Sequence, residues 1–162
     1  MTVAICPGSF DPATTGHMDI IIRASRIYEK VIVGVADNPQ KRSLFSLDER
    51  VEMIKEALPE SKNVDVEAFD SLLVSLAHKH KASVIIRGLR AVSDFEHEFQ
   101  MAQLNRKLSP EVETIFMMAS PEYAYLSSSA VREIAQYGGS VKGLVPPNIV
   151  EPLTRVFQSK EV

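Results

Sequence analysis

The residues best suited to chemistry near the start of this chain are Ser9, Thr14, Thr15 and His17, set in the run PGSFDPATTGH at 7–17. Hydroxyls and an imidazole supply hydrogen-bonding groups. Gly16 lets a ligand approach the backbone because no Cβ stands in the way. The run lies between an apolar segment at 3–6 and Ile20, Ile21, Ala24 and Ile27, which fall at helical spacing. A helix beginning there presents unpaired N–H groups and positive potential, a combination that binds phosphate. Taken alone, the run fits a plain turn equally well, with Ser9 and Thr14 as caps and His17 in solvent.

Other strand ends carry related groups. Arg87 and Arg90 flank Gly88 and Leu89 directly after Val84-Ile85-Ile86. Two guanidiniums so placed can make bidentate contacts to phosphate; the alternative is a surface pair that balances Asp94 and Glu96. Lys41-Arg42 follows the apolar run at 31–36 and is uninformative by itself. Ser127-Ser128-Ser129 precedes Ala130-Val131 with more hydroxyls than one helix cap needs. Hydroxyls, glycine backbone, one histidine and four cations suit a polyphosphate better than a metal or an acyl group. His78 and His80, two apart, do not share a helix face and read as a solvated helix end. His97 reads as facing solvent or a subunit partner.

The elements that position these groups alternate along the chain. Apolar runs at 3–6, 31–36, 64–68, 84–86 and 114–118 have the length and character of strands covered on both faces. Between them lie helical signals. Ser46-Leu47-Asp48-Glu49 is a capping box ahead of Val51, Ile54 and Leu58, and Ser93-Asp94-Phe95-Glu96 has the same form. Residues 71–80 carry Leu72, Leu73, Leu76 and Ala77; residues 127–136 form a further helix ended by Gly138-Gly139. Pro146-Pro147 introduces a last amphipathic segment. Met117-Met118 reads as sheet core. Five strands with intervening helices predict an α/β fold with a parallel sheet, whose ligands gather at the carboxyl ends of the strands.

Composition narrows the classes. At 162 residues, 45% hydrophobic and 24% charged, the chain has the size and make-up of one globular domain, and no linker or repeat divides it. A net charge of −3 gives no general attraction to nucleic acid or to anionic membranes. Cys6, the single cysteine, cannot make an internal disulfide and reads as a buried thiol. No apolar run nears the roughly 18 residues of a membrane span, and no signal peptide is evident. The expected location is the cytoplasm.

Four blocks carry a resemblance: PGSFDPATTGH at 7–17, LFSLDERVEMI at 44–54, IIRGLRAVSDFEHEFQMAQLNR at 85–106 and SPEYAYLSSSAVREIA at 120–135. In this order and spacing they resemble the phosphopantetheine adenylyltransferases, of the nucleotidyltransferase superfamily related to class I aminoacyl-tRNA synthetases. Nearly the whole chain is covered. Thr14 takes the place of the first histidine in the superfamily's H-x-G-H. Ser9 stands where threonine is common, and Cys6 where tyrosine often occurs.

The resemblance implies a Rossmann-like, doubly wound parallel five-stranded sheet in a single nucleotidyltransferase domain, residues 1–162, with C-terminal helices. It implies transfer of the adenylyl group of ATP to 4′-phosphopantetheine, giving dephospho-coenzyme A and pyrophosphate, by in-line attack without a covalent intermediate. His17 and Lys41 are the implied catalytic residues. On the acceptor side stand Ser9, Lys41, Leu73 and Arg87. The nucleotide side comprises Ser9, Phe10, His17, Gly88, Leu89, Arg90 and Glu98, continued by Tyr123, Ala124, Tyr125, Leu126, Ser127, Ser128 and Ser129. Mg²⁺ is expected on the ATP phosphates with no protein ligand set. A homohexamer and feedback binding of coenzyme A complete the expectations. The rival readings are an adenylyltransferase acting on nicotinamide mononucleotide, from which Ser9, Lys41, Leu73 and Arg87 discriminate, and a nucleotide-binding module without turnover.

Overall fold

The computed structural model describes residues 2–37, 42–58 and 63–158, the side chains at 92–94 excepted. Among these residues five strands form one sheet: β1 (Val3–Gly8), β2 (Lys30–Ala36), β3 (Val64–Phe69), β4 (Val84–Leu89) and β5 (Glu113–Met118). The order is β3-β2-β1-β4-β5 and every neighbouring pair is parallel. The chain therefore builds outward from β1 on one side and returns to build outward from β4 on the other. Where such an order reverses, the flanking connections diverge and leave a crevice at the carboxyl ends of the two central strands.

The helices are α1 (Thr15–Ile27), α2 (Leu47–Ala57), α3 (Leu73–Lys79), α4 (Val92–Leu108), α5 (Ser128–Gln136) and α6 (Pro147–Gln158). Alternate residues of β1, β2 and β4 enter different cores. Ala4, Cys6, Val31, Val33 and Ile86 pack with Met18, Ile21, Ile54, Val131, Ile149 and Leu153, so α1, α2, α5 and α6 cover this face. Ile5, Ile32 and Ile85 pack on the opposite face with Leu76 and Ala77 of α3. Among the described residues no helix is long and apolar enough to cross a membrane.

Several boundaries differ from expectation for physical reasons. β4 continues through Leu89, pairing residue by residue with β5, so Arg87 and Gly88 belong to the strand itself. Only Arg90 and Ala91 then remain to connect β4 to α4, and the helix starts at Val92 with Ala91 as its N-cap. Ser93 thus lies in the first turn and is not the cap its S-x-x-E pattern predicts. The Ser46 box forms as expected: Ser46 Oγ accepts from the Glu49 N–H at 3.3 Å, and the Ser46 N–H donates to Glu49 Oε2 at 2.8 Å. α3 begins at Leu73, two residues later than the pattern at 71–80. Met117 packs against the core, whereas Met118, at the end of the edge strand, is exposed.

Candidate active site

A cavity of about 430 Å³ occupies the crevice beyond β1 and β4. Gly8, Ser9 and Phe10 reach it from the end of β1 and the loop that follows; Thr14, Gly16 and His17 reach it from the start of α1. Arg87, Gly88 and Arg90 line it from β4 and its connection, His97 and Glu98 from α4, and Ser127, Ser128 and Ser129 from the start of α5. Two helix N-termini therefore meet at one wall, and their positive potential favours an anion.

The start of α1 fixes His17. Thr14 is the N-cap, and its Oγ1 accepts from the His17 N–H at 3.3 Å. The Thr14 N–H in turn donates to His17 Nδ1 at 3.0 Å, and Thr14 Oγ1 lies 3.2 Å from the same nitrogen. This is a capping box with histidine in the place usually held by Glu or Gln. Because Nδ1 accepts a backbone N–H, the bonding pattern assigns the neutral ring's proton to Nε2. Burial, with the nearby Arg90 and Arg87 charges adding to it, pushes the His17 pKa down from 6.5 to about 4. In this state the imidazole is neutral near pH 7 and carries its one N–H donor at Nε2.

The ring is also held from the side. Phe10 meets His17 edge to face, with centroids 5.2 Å apart and planes at 83°. Phe10 adopts a φ of 49°, uncommon for a non-glycine residue. Its ring lies over Gly8, where a Cβ would come within 2.9 Å of Phe10 Cζ. Glycine at position 8 is what allows the phenyl ring to sit there.

The loop from Ser9 to Thr14 is tied down by three parts of the chain. Arg50, only 2% exposed, donates through one guanidinium nitrogen to Ser9 O at 2.7 Å and Ala36 O at 3.0 Å. The buried Asp11 carboxylate accepts from the N–H groups of Leu44 at 2.7 Å and Phe45 at 3.0 Å. Arg132 donates to Asp11 O, and Ser128 Oγ donates to Pro12 O at 2.8 Å. Thr15, at the start of α1, adds N–H and hydroxyl bonds to Leu144 O at 3.0 and 3.2 Å.

The two arginines of β4 and its connection are already engaged. Arg87 Nε and Nη2 donate to Glu98 Oε2 and Oε1 at 2.6 and 2.5 Å, a bidentate pair, and Nη1 donates to Pro7 O at 2.9 Å. Arg90 Nη1 donates to Leu126 O at 2.7 Å. Both guanidiniums are therefore oriented before any ligand arrives. Cys6 also lies on this wall; burial pushes its thiol up to about 12 against the opposing pull of Arg87, so it is a structural thiol.

The cytidylyltransferase-like family model matches residues 5–134. The phosphopantetheine adenylyltransferase of Clostridium tetani is 49% identical over 160 residues, covering 99% of this chain and 100% of that protein. That of Caldanaerobacter subterraneus subsp. tengcongensis is 57% identical over 158 residues, with 98% and 99% covered. The chain belongs to the phosphopantetheine adenylyltransferase family. Among solved structures, a bifunctional NMN adenylyltransferase/ADP ribose pyrophosphatase from Francisella tularensis superposes with a TM-score of 0.72 at 19% identity, over 97% of this chain and 51% of that one, about half its length. A putative nicotinate-nucleotide adenylyltransferase from Vibrio parahaemolyticus gives a TM-score of 0.65 at 14% identity, with 99% and 94% covered. At these identities the solved structures speak to the shared fold.

Against the phosphopantetheine adenylyltransferase expectations, the cavity brings together Ser9, Phe10, His17, Arg87, Gly88 and Arg90. It adds Glu98, Tyr123, Leu126 and the three serines at 127–129. Leu89, Ala124 and Tyr125 stand outside its wall, Leu89 buried and Tyr125 exposed. Leu73, the first residue of α3, also lies off the wall and packs against the core on the opposite face of the sheet. Lys41 lies outside the described residues. His97 is exposed as expected, and that exposure includes the cavity's edge. Sequence reasoning passed over Arg50, Arg132 and Asp11, which shape the loop. The usable signal for Arg50 was a cation inside the buried stripe of an otherwise well-capped helix.

Proposed function

We propose that this chain transfers the adenylyl group of ATP to 4′-phosphopantetheine, releasing pyrophosphate and dephospho-coenzyme A, and that residues 1–162 act as one catalytic domain. The observation that carries the mechanism is His17: a neutral, oriented imidazole with its Nε2 proton on the wall of a cavity built from cations and helix N-termini. In this reading an oxygen of the acceptor phosphate attacks the α-phosphorus in line. The bond from that phosphorus to the bridging oxygen breaks, and the electron pair leaves with pyrophosphate. The attacking group is already an anion, so no general base is needed. Catalysis is then positioning and charge stabilisation. His17 donates to an α-phosphoryl oxygen as negative charge builds there.

Arg87, held in a fork by Glu98, anchors the acceptor phosphate; Arg90 and the start of α5 hold the β- and γ-phosphates. Lys41 is assigned to the α-phosphate and the incoming phosphate, and Leu73 to the pantetheine arm. Magnesium enters with ATP as counterion of the triphosphate. The groups facing the cavity are mainly donors, and among the described residues no three His, Cys, Asp or Glu side chains cluster as a protein metal site needs. A homohexamer is supported by the apolar groups that α4 and β5 leave exposed, including Phe99, Leu104, Leu108 and Met118. Feedback by coenzyme A follows from its pantetheine arm, which competes for the acceptor's place.

A pyrophosphate-release assay tests the reading, with purified protein, ATP and Mg²⁺ and either 4′-phosphopantetheine or nicotinamide mononucleotide as acceptor. Release with the first and background with the second is expected. Release with nicotinamide mononucleotide alone would reassign the acceptor, and ATP binding without release under either condition would leave a nucleotide-binding module.

A further inference from the structure

The segment between β5 and α5 arches along one side of the cavity. Ala119, Tyr123 and Leu126 line the cavity from it, and a single 3₁₀ turn, Pro121–Tyr123, shapes its middle. Its far end is held by Arg90, which donates to Leu126 O at 2.7 Å. Its near end is held by α1. Asp19 Oδ2 accepts from Ser120 Oγ at 2.8 Å and from Arg23 Nη1 at 3.1 Å. The same Arg23 nitrogen donates to Met118 O at 2.8 Å.

These contacts fall on one face of α1. Gly16, Asp19, Ile20 and Arg23 are spaced i, i+3, i+4 and i+7, so they stack along one side of the helix. Gly16 lies under Tyr123, where a Cβ would come within 3.3 Å of Tyr123 Cβ, and Ile20 lies against Gly88 of β4. His17 stands in the same turn as Gly16 and is fixed by Thr14. One helix therefore carries both the imidazole and the seat of the arch. Of the two bonds to Asp19, the one from Ser120 is the stronger tether. A hydroxyl donating to a carboxylate makes a charge-assisted hydrogen bond. The ion pair with Arg23, whose side chains are 20% and 35% exposed, is screened by water.

We propose that Asp19 is a positioning residue of the nucleotide site. Through Ser120 it sets the arch at one height on α1, so that a nucleotide seated against Tyr123 and Leu126 presents its α-phosphate to His17. The inference rests on the proposed reaction for assigning Tyr123 and Leu126 to the nucleotide, while the tether itself rests on the hydrogen bonds. Neither Asp19 nor Ser120 lines the cavity, so both act through the residues of the arch that do. The acceptor side is held by other means: Arg87 by Glu98 and Pro7, and the Ser9 backbone by Arg50. Loosening the tether therefore affects one substrate and spares the other.

Steady-state kinetics and calorimetric titration with ATP and with 4′-phosphopantetheine, each with Mg²⁺, test this on the full chain as wild type, Asp19→Ala, Ser120→Ala and Asp19→Asn. Asp19→Ala is expected to raise the Kd and KM for ATP about tenfold, and Ser120→Ala about three- to fivefold, since the bond that seats the arch is lost. The KM for 4′-phosphopantetheine should stay within about twofold and kcat within about threefold, because the supports of Arg87 and His17 are untouched. Asp19→Asn keeps an oxygen for the Ser120 hydroxyl and should restore ATP affinity to within about twofold of wild type. ATP affinity within about twofold of wild type in both Asp19→Ala and Ser120→Ala, or equal losses for ATP and acceptor, would overturn the proposal. So would an Asp19→Asn protein as impaired as Asp19→Ala, which would move the tether to the Arg23 ion pair. Ser120→Ala removes a single hydroxyl and decides the matter alone if Asp19→Ala fails to fold. The titration needs no turnover: tether-dependent ATP binding in a protein that transfers nothing to 4′-phosphopantetheine defeats the reaction and keeps the tether, and transfer with unaltered ATP affinity in the variants does the reverse.

Discussion

α1 and α4 each begin just beyond a central strand of the sheet, yet their first turns are built differently. α1 starts from Thr14 with a reciprocal capping box, has Thr15 bonded to residues 143 and 144, and buries Met18, Ile21 and Ala24. α4 starts from Ala91 with no side-chain cap and leaves Phe95, Phe99, Met101, Leu104 and Leu108 exposed. One helix start has its cap bonds closed within the protein and so holds the His17 ring in one orientation. The other leaves much apolar surface exposed and contributes mainly Glu98, the carboxylate that orients Arg87. Reciprocal capping accompanies an oriented imidazole in the first, and exposed apolar surface accompanies an uncapped start in the second.

The comparison breaks most visibly at His17. His17→Ala is expected to lower turnover about 10²–10³-fold, the scale of losing one transition-state hydrogen-bond donor, while ATP still binds. Steady-state kinetics with calorimetry would check this, and turnover near wild type would remove His17 from that role. Next in size is Arg87→Ala, which should weaken 4′-phosphopantetheine about tenfold or more and ATP much less. Equal weakening of both ligands would deny the division between acceptor and nucleotide walls.

The caps themselves offer a paired test. Thr14→Val should cost about 1 kcal/mol in urea unfolding and also lower turnover, because it removes a cap and loosens the histidine. At the other helix the sign reverses. Ala91 has the extended backbone of an N-cap (φ −148°, ψ 168°), so Ala91→Ser should stabilise by about 0.5–1 kcal/mol.

A smaller effect concerns pH. In the folded protein His17 titrates at about 4, below its ordinary 6.5, so between these values the unfolded chain binds more protons. Stability from this group is full above about 6.5 and is lost as pH falls toward about 4. Histidine NMR should show the Nε2–H tautomer at neutral pH and a titration well below that of an exposed histidine; a midpoint near 6.5 would contradict the burial. Smallest of all, Phe99→Ser on the exposed side of α4 should leave the stability of the isolated subunit within about 0.5 kcal/mol. Light scattering should nevertheless show weakened self-association.

Much of the frame is legible in the chain. The five apolar runs lie inside the five strands, and the Ser46 box forms as its spacing predicts, because alternation, helical period and capping act over a few residues. The same short-range logic misplaces the start of α4. The S-x-x-E pattern at Ser93 is sound locally, but β4 extends to Leu89 to pair with β5, and that pairing is a decision of the sheet. His17 is placed at a helix start by its neighbours in sequence, whereas its tautomer and low pKa depend on how deeply the folded chain buries it.

The sequence by itself determined which chemical groups stand at the strand ends: hydroxyls, glycine, one histidine and paired cations, on an alternating strand–helix frame. Only the tertiary structure decided what each cation meets. Arg87 is oriented by Glu98 and Pro7, Arg90 reaches Leu126, and Arg50 lies buried under Ser9 and Ala36. The physical reason is reach. A capping hydroxyl finds its partner within one turn of chain, but a guanidinium on a long side chain finds its partners across elements, and packing alone brings those elements together.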